Sequence, residues 1–365
     1  MPAVTIDKID TFPLRIPLDT WAPSPMFAGR PRTHVEMFLV RVTCSNGIVG
    51  WGESYGSSLP LLEGVFDAWV RHLAVGQDPT DRQLTARIER LLHGMGRAGS
   101  TVHAISGLDI ALWDIRGKIE GVSVSTLLGG AKRKRVETYA SLLQYSGNVD
   151  HVARNTTRAL ERGYKHIKLH ERTAGAVAAS RKAAGPDIPI MVDTNCAWTP
   201  AEAEKPVAAM APSKPKWVEE PIWPPEDFES LAKLRKATGV PLAMGENATG
   251  VLDFGKMVAA GATDFVQPSI VKIGGLTNLW QVATEAEKAG VNCTPHAFFF
   301  GPGYLATLHA IACKDKTSVL ERLFADVGFV AYSKTIPDAN GGVDVPDRPG
   351  LGADPETELL ERFKI

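Results

Sequence analysis

Ile188-Pro189-Ile190-Met191-Val192-Asp193-Thr194-Asn195, Trp217-Val218-Glu219-Glu220-Pro221 and Pro241-Leu242-Ala243-Met244-Gly245-Glu246-Asn247 repeat one theme, a short apolar run that ends on a carboxylate. Asp193, Glu219 and Glu246 lie 26 and 27 residues apart, one strand-plus-helix unit each. Working outward, further apolar runs stand at 137–140, 166–169, 264–266, 291–294 and 318–320, which makes eight with a spacing of about 22 to 30 residues. The segments between them have helical period. One of them opens on Thr199-Pro200-Ala201-Glu202, a capping box with proline at the first helical position. Eight such units in succession predict an α/β fold, a (β/α)8 barrel over 131–325.

The chain before the barrel follows a different grammar. Residues 6–16 and 35–43 have strand character, and Ser45-Asn46-Gly47 is a hairpin turn leading into a further strand at 48–52. Between 61 and 121 the period becomes helical, most clearly where Ile105, Leu108, Leu112 and Ile115 share a face and Gly117 and Gly121 close the element. Residues 1–130 are therefore expected to form a small α+β domain. Its segment 18–34, rich in proline, glycine, aromatics and arginine, reads as a lid or a disordered loop. The Gly/Pro/Asp-rich tail, 326–365, is expected to pack back on this first domain.

Among the 365 residues, 40 Lys and Arg balance 41 Asp and Glu, which leaves no basic footprint for nucleic acid or an anionic membrane. No apolar run approaches the ~20 residues of a membrane span. The first residues, MPAVTIDKIDTFPLRIPL, carry acids and no cleavable apolar core, unlike a signal peptide. Cys44, Cys196, Cys293 and Cys313 are scattered without CxxC pairing, as thiols of a reducing compartment would be. A cytoplasmic enzyme acting on a small molecule is the expectation.

In a barrel of this kind the reactive groups stand where strands end. Those positions hold Lys168 and His170, Asp193, Glu219, Glu246, Ser269, His296 and Glu321 in turn. Singly, each acid could cap a helix or pair with a lysine. Three acids delivered to one rim by adjacent strands repel one another, and a divalent cation relieves that repulsion. All-oxygen ligation favours Mg²⁺.

Taken in order, Gly107 to Gly130 (GLDIALWDIRGKIEG…LLGG), Asp193-Thr194-Asn195, Glu219-Glu220-Pro221, Gly245-Glu246-Asn247, Lys272-Ile273-Gly274-Gly275, His296 and Asp347-Arg348-Pro349-Gly350-Leu351-Gly352 resemble the enolase superfamily, and within it the mandelate racemase-like members, over nearly the whole length. The resemblance implies a capping domain over a modified TIM barrel, completed by the C-terminal tail. It implies Mg²⁺ held by Asp193, Glu219 and Glu246, with Asn195 nearby, and a carboxylate substrate whose α-proton a side-chain base removes. It also implies a homo-oligomer. Lys168 matches the lysine that neutralises the substrate carboxylate, and Glu321 the acid that, if protonated, donates a hydrogen bond to the enediolate; a rim salt bridge is the other reading of Glu321.

Two positions depart from the pattern. Lys168-Leu169-His170 stands where Lys-x-Lys is common, so His170 replaces the lysine that often serves as base. An imidazole can accept a proton at neutral pH, so base chemistry remains open there, as does a role orienting a neighbouring carboxylate. Ser269 occupies the place of the aspartate that usually partners the seventh-strand histidine, leaving His296 without a charged neighbour to fix its tautomer. Lys272 belongs to the turn that follows. Arg30 or Arg32 and His34 in or beside the lid suit a polar or acidic substrate, while Trp21, Met26 and Phe27 suit an apolar one. The first expectation is dehydration of a sugar acid or related hydroxy acid. Racemisation, epimerisation or lactone cycloisomerisation through the same enediolate is the second, and a catalytically impaired metal-binding paralogue the third.

Overall fold

A computed structural model of the chain describes residues 3–314, 319–327, 332 and 340–365. It opens with β1 (Ile6–Asp19), after which the 18–34 segment makes a small hairpin, β2 (Met26–Phe27) and β3 (Arg30–Pro31). β4 (His34–Cys44) then runs back along β1, with Ile9 opposite Val42 and Arg15 opposite Glu36. Gly47, at φ 83°, turns the chain into β5 (Val49–Ser54). The predicted lid is thus an ordered hairpin springing from two long strands.

One face of this antiparallel sheet packs on the helix Ser100–Glu120, and β5 carries glycines to let it do so. A Cβ at Gly52 would sit 1.8 Å from the Gly107 carbonyl oxygen. The close approach buries Phe38, Val40, Leu62, Phe66, Ile105, Leu108 and Leu112 in one apolar cluster. Because the helix is buried on nearly every side, its apolar stripe in the sequence is broad rather than sharply amphipathic.

The eight barrel strands follow in order: β6 (Arg135–Leu142), β7 (Ile167–Leu169), β8 (Ile190–Asp193), β9 (Trp217–Glu219), β10 (Leu242–Met244), β11 (Phe265–Val266), β12 (Asn292–Cys293) and β13 (Leu320–Phe324). Parallel ladders join β6 through β12 consecutively, and β13 closes on β6 with Glu321 opposite Tyr139. Among the described residues no ladder joins β12 to β13. The expected eighth run, 318–320, begins in the structure at Leu320; Ser318 lies outside the described residues. Two further strands, β14 (Asp326–Val327) and β15 (Gly342–Asp344), pair antiparallel with β1 and β6. The tail therefore touches both parts of the molecule, with the Leu351 amide also donating to Asp114 in the helix Ser100–Glu120.

The register fixes the site. Asp193 lies directly opposite Glu219, and Glu219 opposite Ala243, two residues before the Gly245-Glu246 turn. Acids that recur once per βα unit in sequence become neighbours in space. No helix among the described residues is long and apolar enough to cross a membrane.

Candidate active site

Asp193, Glu219 and Glu246 each offer a carboxylate oxygen, and the three oxygens lie within 4.8 Å of one another. Asp193 and Glu219 are fully buried on their strands, whereas Glu246 reaches the cavity from the turn after β10. The chain leaves these strand ends through left-handed backbone at Asn195 (φ 47°), Cys196 (φ 51°) and Glu220 (φ 41°), strain of the kind that concentrates at functional sites.

Lys168 is the counter-charge of the floor. Its Nζ lies 2.6 Å from Glu219, 3.1 Å from Asp193 and 3.1 Å from Glu321, with no solvent exposure. Trp217 Nε1 and Gln267 Nε2 donate to the other Glu219 oxygen at 3.0 and 2.8 Å. Burial still pushes the Glu219 carboxyl well above its usual range; Lys168 pulls it down, and Asp193, Glu321 and Glu246 push it up again. Asp193 Oδ2 is buried between the Lys168 ammonium at 3.1 Å and the His170 ring at 3.3 Å, neither of them in hydrogen-bonding geometry. Three carboxylates whose oxygens converge within 4.8 Å are a donor set that fits a hard divalent cation.

Two imidazoles flank the triad at its outer members. His170 Nε2 stands 3.3 Å from Asp193, and His296 Nε2 stands 3.1 Å from Glu246. Their other nitrogens decide their tautomers. His170 Nδ1 faces the Leu142 carbonyl at 2.5 Å, which can only accept, so Nδ1 carries a hydrogen and Nε2, turned to the Asp193 carboxylate, is the nitrogen that faces the triad. Burial lowers the His296 pKa, despite the opposing pull of Glu246 and Glu321, and the ring is neutral. Facing a carboxylate, its Nε2 carries the hydrogen, and Nδ1 accepts from Ser269 Oγ at 3.1 Å. Phe298 lies 6.3 Å from each ring, stacked on His296 and edge-on to His170.

The structure places the remaining candidates as follows. Glu321 accepts from Ser141 Oγ and the Ala297 amide at 2.8 and 2.9 Å; burial raises its pKa, but Lys168, His296 and these donors outweigh that and hold it at about 2. These bonds and Lys168 match the rim salt-bridge reading of Glu321. Ser269 is fully buried behind His296 and acts on that ring rather than lining the cavity. Lys168 likewise lies below the cavity wall, neutralising acids of the floor. In the lid, Arg30 and His34 are exposed and outside the cavity, whereas Arg32 lines it.

The cavity over the triad has a volume of about 530 Å³, within the range of small-molecule sites. His170, Asn195, Glu246 and His296 form its floor, and Met26, Phe27, Arg32, Tyr55 and Phe298 close over it. Sequence reasoning passed over Lys272, whose Nζ lies 4.0 Å from Glu246 and 4.6 Å from the centre of the Tyr55 ring. The available signal was its position three residues after Ser269, on the turn that follows a barrel strand.

Comparison with known proteins agrees with this geometry. Residues 15–129 match the mandelate racemase / muconate lactonizing enzyme N-terminal domain, and residues 151–359 the enolase C-terminal domain-like family. The chain is 32% identical to a D-galactarolactone cycloisomerase of Agrobacterium fabrum, with 99% of each chain covered. It is 30% identical to a D-galactonate dehydratase of Ralstonia pickettii, over 90% of this chain and 91% of that one. A racemase from Streptomyces coelicolor, solved with bound magnesium, superposes with a TM-score of 0.88 at 28% identity, covering 99% of this chain and 100% of the other. With matches in both domains, a capping domain over a TIM-like barrel and an acidic triad at the strand ends, the chain is an enzyme of the enolase superfamily and belongs to its mandelate racemase / muconate lactonizing enzyme family.

Proposed function

We propose that the protein binds Mg²⁺ through Asp193, Glu219 and Glu246 and removes the α-proton of a sugar-acid carboxylate, after which an oxygen substituent leaves the β-carbon. The observation that carries the reading is the placement of His170 and His296 on either side of the acidic triad, each with Nε2 turned to one of its carboxylates. The metal would supply Lewis-acid stabilisation of the negative charge that develops on the carboxylate.

The residues then have distinct tasks. His170 Nε2 takes the α-proton, and the imidazolium so formed is stabilised by Asp193 at 3.3 Å. As the enediolate collapses, a Cα–Cβ double bond forms and the Cβ–O bond breaks. His296, neutral, donates a hydrogen bond from Nε2 to the departing hydroxyl, and the His170 imidazolium returns the abstracted proton to it, so that water leaves and both rings end neutral. The enol ketonises to a 2-keto acid. Ser269 holds the His296 ring through Nδ1, and Lys168 with Glu321 keeps the floor electrically balanced.

Dehydration is the reading the donor on His296 favours, because a hydroxyl leaves only when protonated. A lactone whose ring oxygen sits on Cβ would eliminate through the same enediolate, its leaving group being a carboxylate that needs no proton. The full-length likeness to a galactarolactone cycloisomerase favours keeping that second reading. Incubation with Mg²⁺ and pooled sugar acids and lactones in D₂O, read by NMR, tests both: deuterium at Cα or C3 of a 2-keto product is expected, and the starting acid or lactone names the reaction.

A further inference from the structure

One charge lining the cavity, that of Arg32, is not consumed by the protein among the described residues. The Arg32 guanidinium lies 4.7 Å from the centre of the Phe298 ring and 5.5 Å from that of Phe27. It is largely buried, and burial is the main reason its pKa is lowered. Among the described residues it makes no side-chain hydrogen bond and no ion pair. Stacking on aromatic faces offsets part of that cost but provides no acceptor for its five N–H groups.

The acids of the same wall are otherwise engaged. Glu36 is bonded by Arg15 at 2.9 and 3.2 Å. Glu53 accepts from the Gly303 amide at 3.0 Å, and burial pushes its carboxyl up to about 8, which leaves it uncharged near neutrality. Glu246 belongs to the triad. Lys272 is the second cation: its Nζ donates to Asn247 Oδ1 at 3.2 Å, and Glu246 is its near acid at 4.0 Å. Arg172 also lines the cavity, but it is exposed and its Nε donates to the Thr194 carbonyl.

Position matters as much as charge. Arg32 covers Phe298, and Phe298 touches both imidazoles. A substrate carboxylate held at the triad, between His170 and His296, would have Arg32 across the Phe298 ring from it. We infer that Arg32 forms a second anion subsite, so that the preferred substrate is a sugar acid with a second carboxylate at the end remote from the reacting one. A planar guanidinium fork matches a carboxylate in two parallel hydrogen bonds, which a terminal alcohol cannot reproduce. The inference rests on the function proposed above and narrows it to aldarates and their monolactones over aldonates.

The test uses Mg²⁺-loaded full-length protein and pairs of acids that differ only at the far end, an aldarate and an aldonate of each configuration, galactarate and galactonate among them. For each pair, kcat/KM, calorimetric affinity and Cα exchange in D₂O are measured on the wild type, Arg32→Gln, Arg32→Lys and Lys272→Gln, with thermal unfolding as a folding control. The expected wild type prefers the dicarboxylate. Arg32→Gln lowers its kcat/KM by roughly 10- to 100-fold, mostly through KM, and brings the dicarboxylate-to-monocarboxylate ratio towards one. Arg32→Lys recovers part of the ratio, and Lys272→Gln lowers it by less than Arg32→Gln. A ratio that Arg32→Gln leaves unchanged, or a wild type that prefers aldonates, with Cα exchange intact, overturns the subsite and leaves the enolisation reading standing. Absence of both binding and exchange for every acid overturns the two together.

Discussion

The floor and the roof of the cavity are built by different means. The floor is rigid and charged: Asp193, Glu219, Lys168 and Glu321 are fully buried on four barrel strands, each bonded to at least one other. The roof is a short hairpin and two loops, where Arg32 leans on Phe27 and Phe298 and Lys272 leans on Tyr55. Ion pairs hold one, and cation–aromatic contacts worth about 0.5 to 2 kcal/mol each hold the other. Chemistry that must be placed to a fraction of an ångström is assigned to strands, and recognition is assigned to loops that can vary.

That contrast can be broken most directly at the floor. Glu219→Gln removes the central carboxylate and is expected to lower α-proton exchange by about 10³-fold or more, with Mg²⁺ affinity measured in parallel by calorimetry. Lys168→Met leaves three carboxylates without their buried counter-charge. Urea unfolding without metal is expected to show a loss of about 3 to 5 kcal/mol, part of it restored by Mg²⁺. His170→Asn keeps the triad and removes the base, so exchange should fall by about 10²- to 10⁴-fold while Mg²⁺ still binds.

Smaller effects sharpen the comparison where roof meets floor. Glu53 on β5 links the capping domain to the barrel through the Gly303 amide. Its folded pKa of about 8 lies above the ordinary 4.5, so the stability it contributes is complete below about pH 4.5 and is lost as pH rises through 8. Glu53→Gln should remove that loss, raising the unfolding midpoint relative to wild type at pH 8.5 and not at pH 5, by at most about 4 kcal/mol. The subtlest change is Ser269→Asp. A carboxylate beside His296 Nδ1 should draw the hydrogen to that nitrogen and free Nε2 as a second base. Minor exchange from the opposite face, seen as epimeric product by NMR, is the expected sign.

How much of this was legible in the sequence follows the same division. Strands impose alternation and βα units impose a period, so Asp193, Glu219 and Glu246 could be placed on one rim from their spacing, and Lys168 and His170 on one face of β7. Bonds made by neighbours from distant segments could not be read. The charge state of Glu321 depends on Lys168 lying 3.1 Å away, and the tautomer of His296 on Ser269. In the lid no period exists. The hairpin register, with Phe27 opposite Arg30, decides that Arg32 rather than Arg30 or His34 reaches the cavity. Lys272 was set aside as a turn residue because its four-carbon stem gives no sign, in sequence, of where its charge ends.

The most direct test of the central claim is Cα deuterium exchange in D₂O with Mg²⁺, over aldarates, aldonates and their lactones, comparing wild type, His170→Asn and wild type with excess EDTA. Label in the wild type alone, at Cα or in a 2-keto product, is the result predicted by a metal-assisted enolisation with His170 as base. Exchange that persists undiminished in EDTA or in His170→Asn would contradict it.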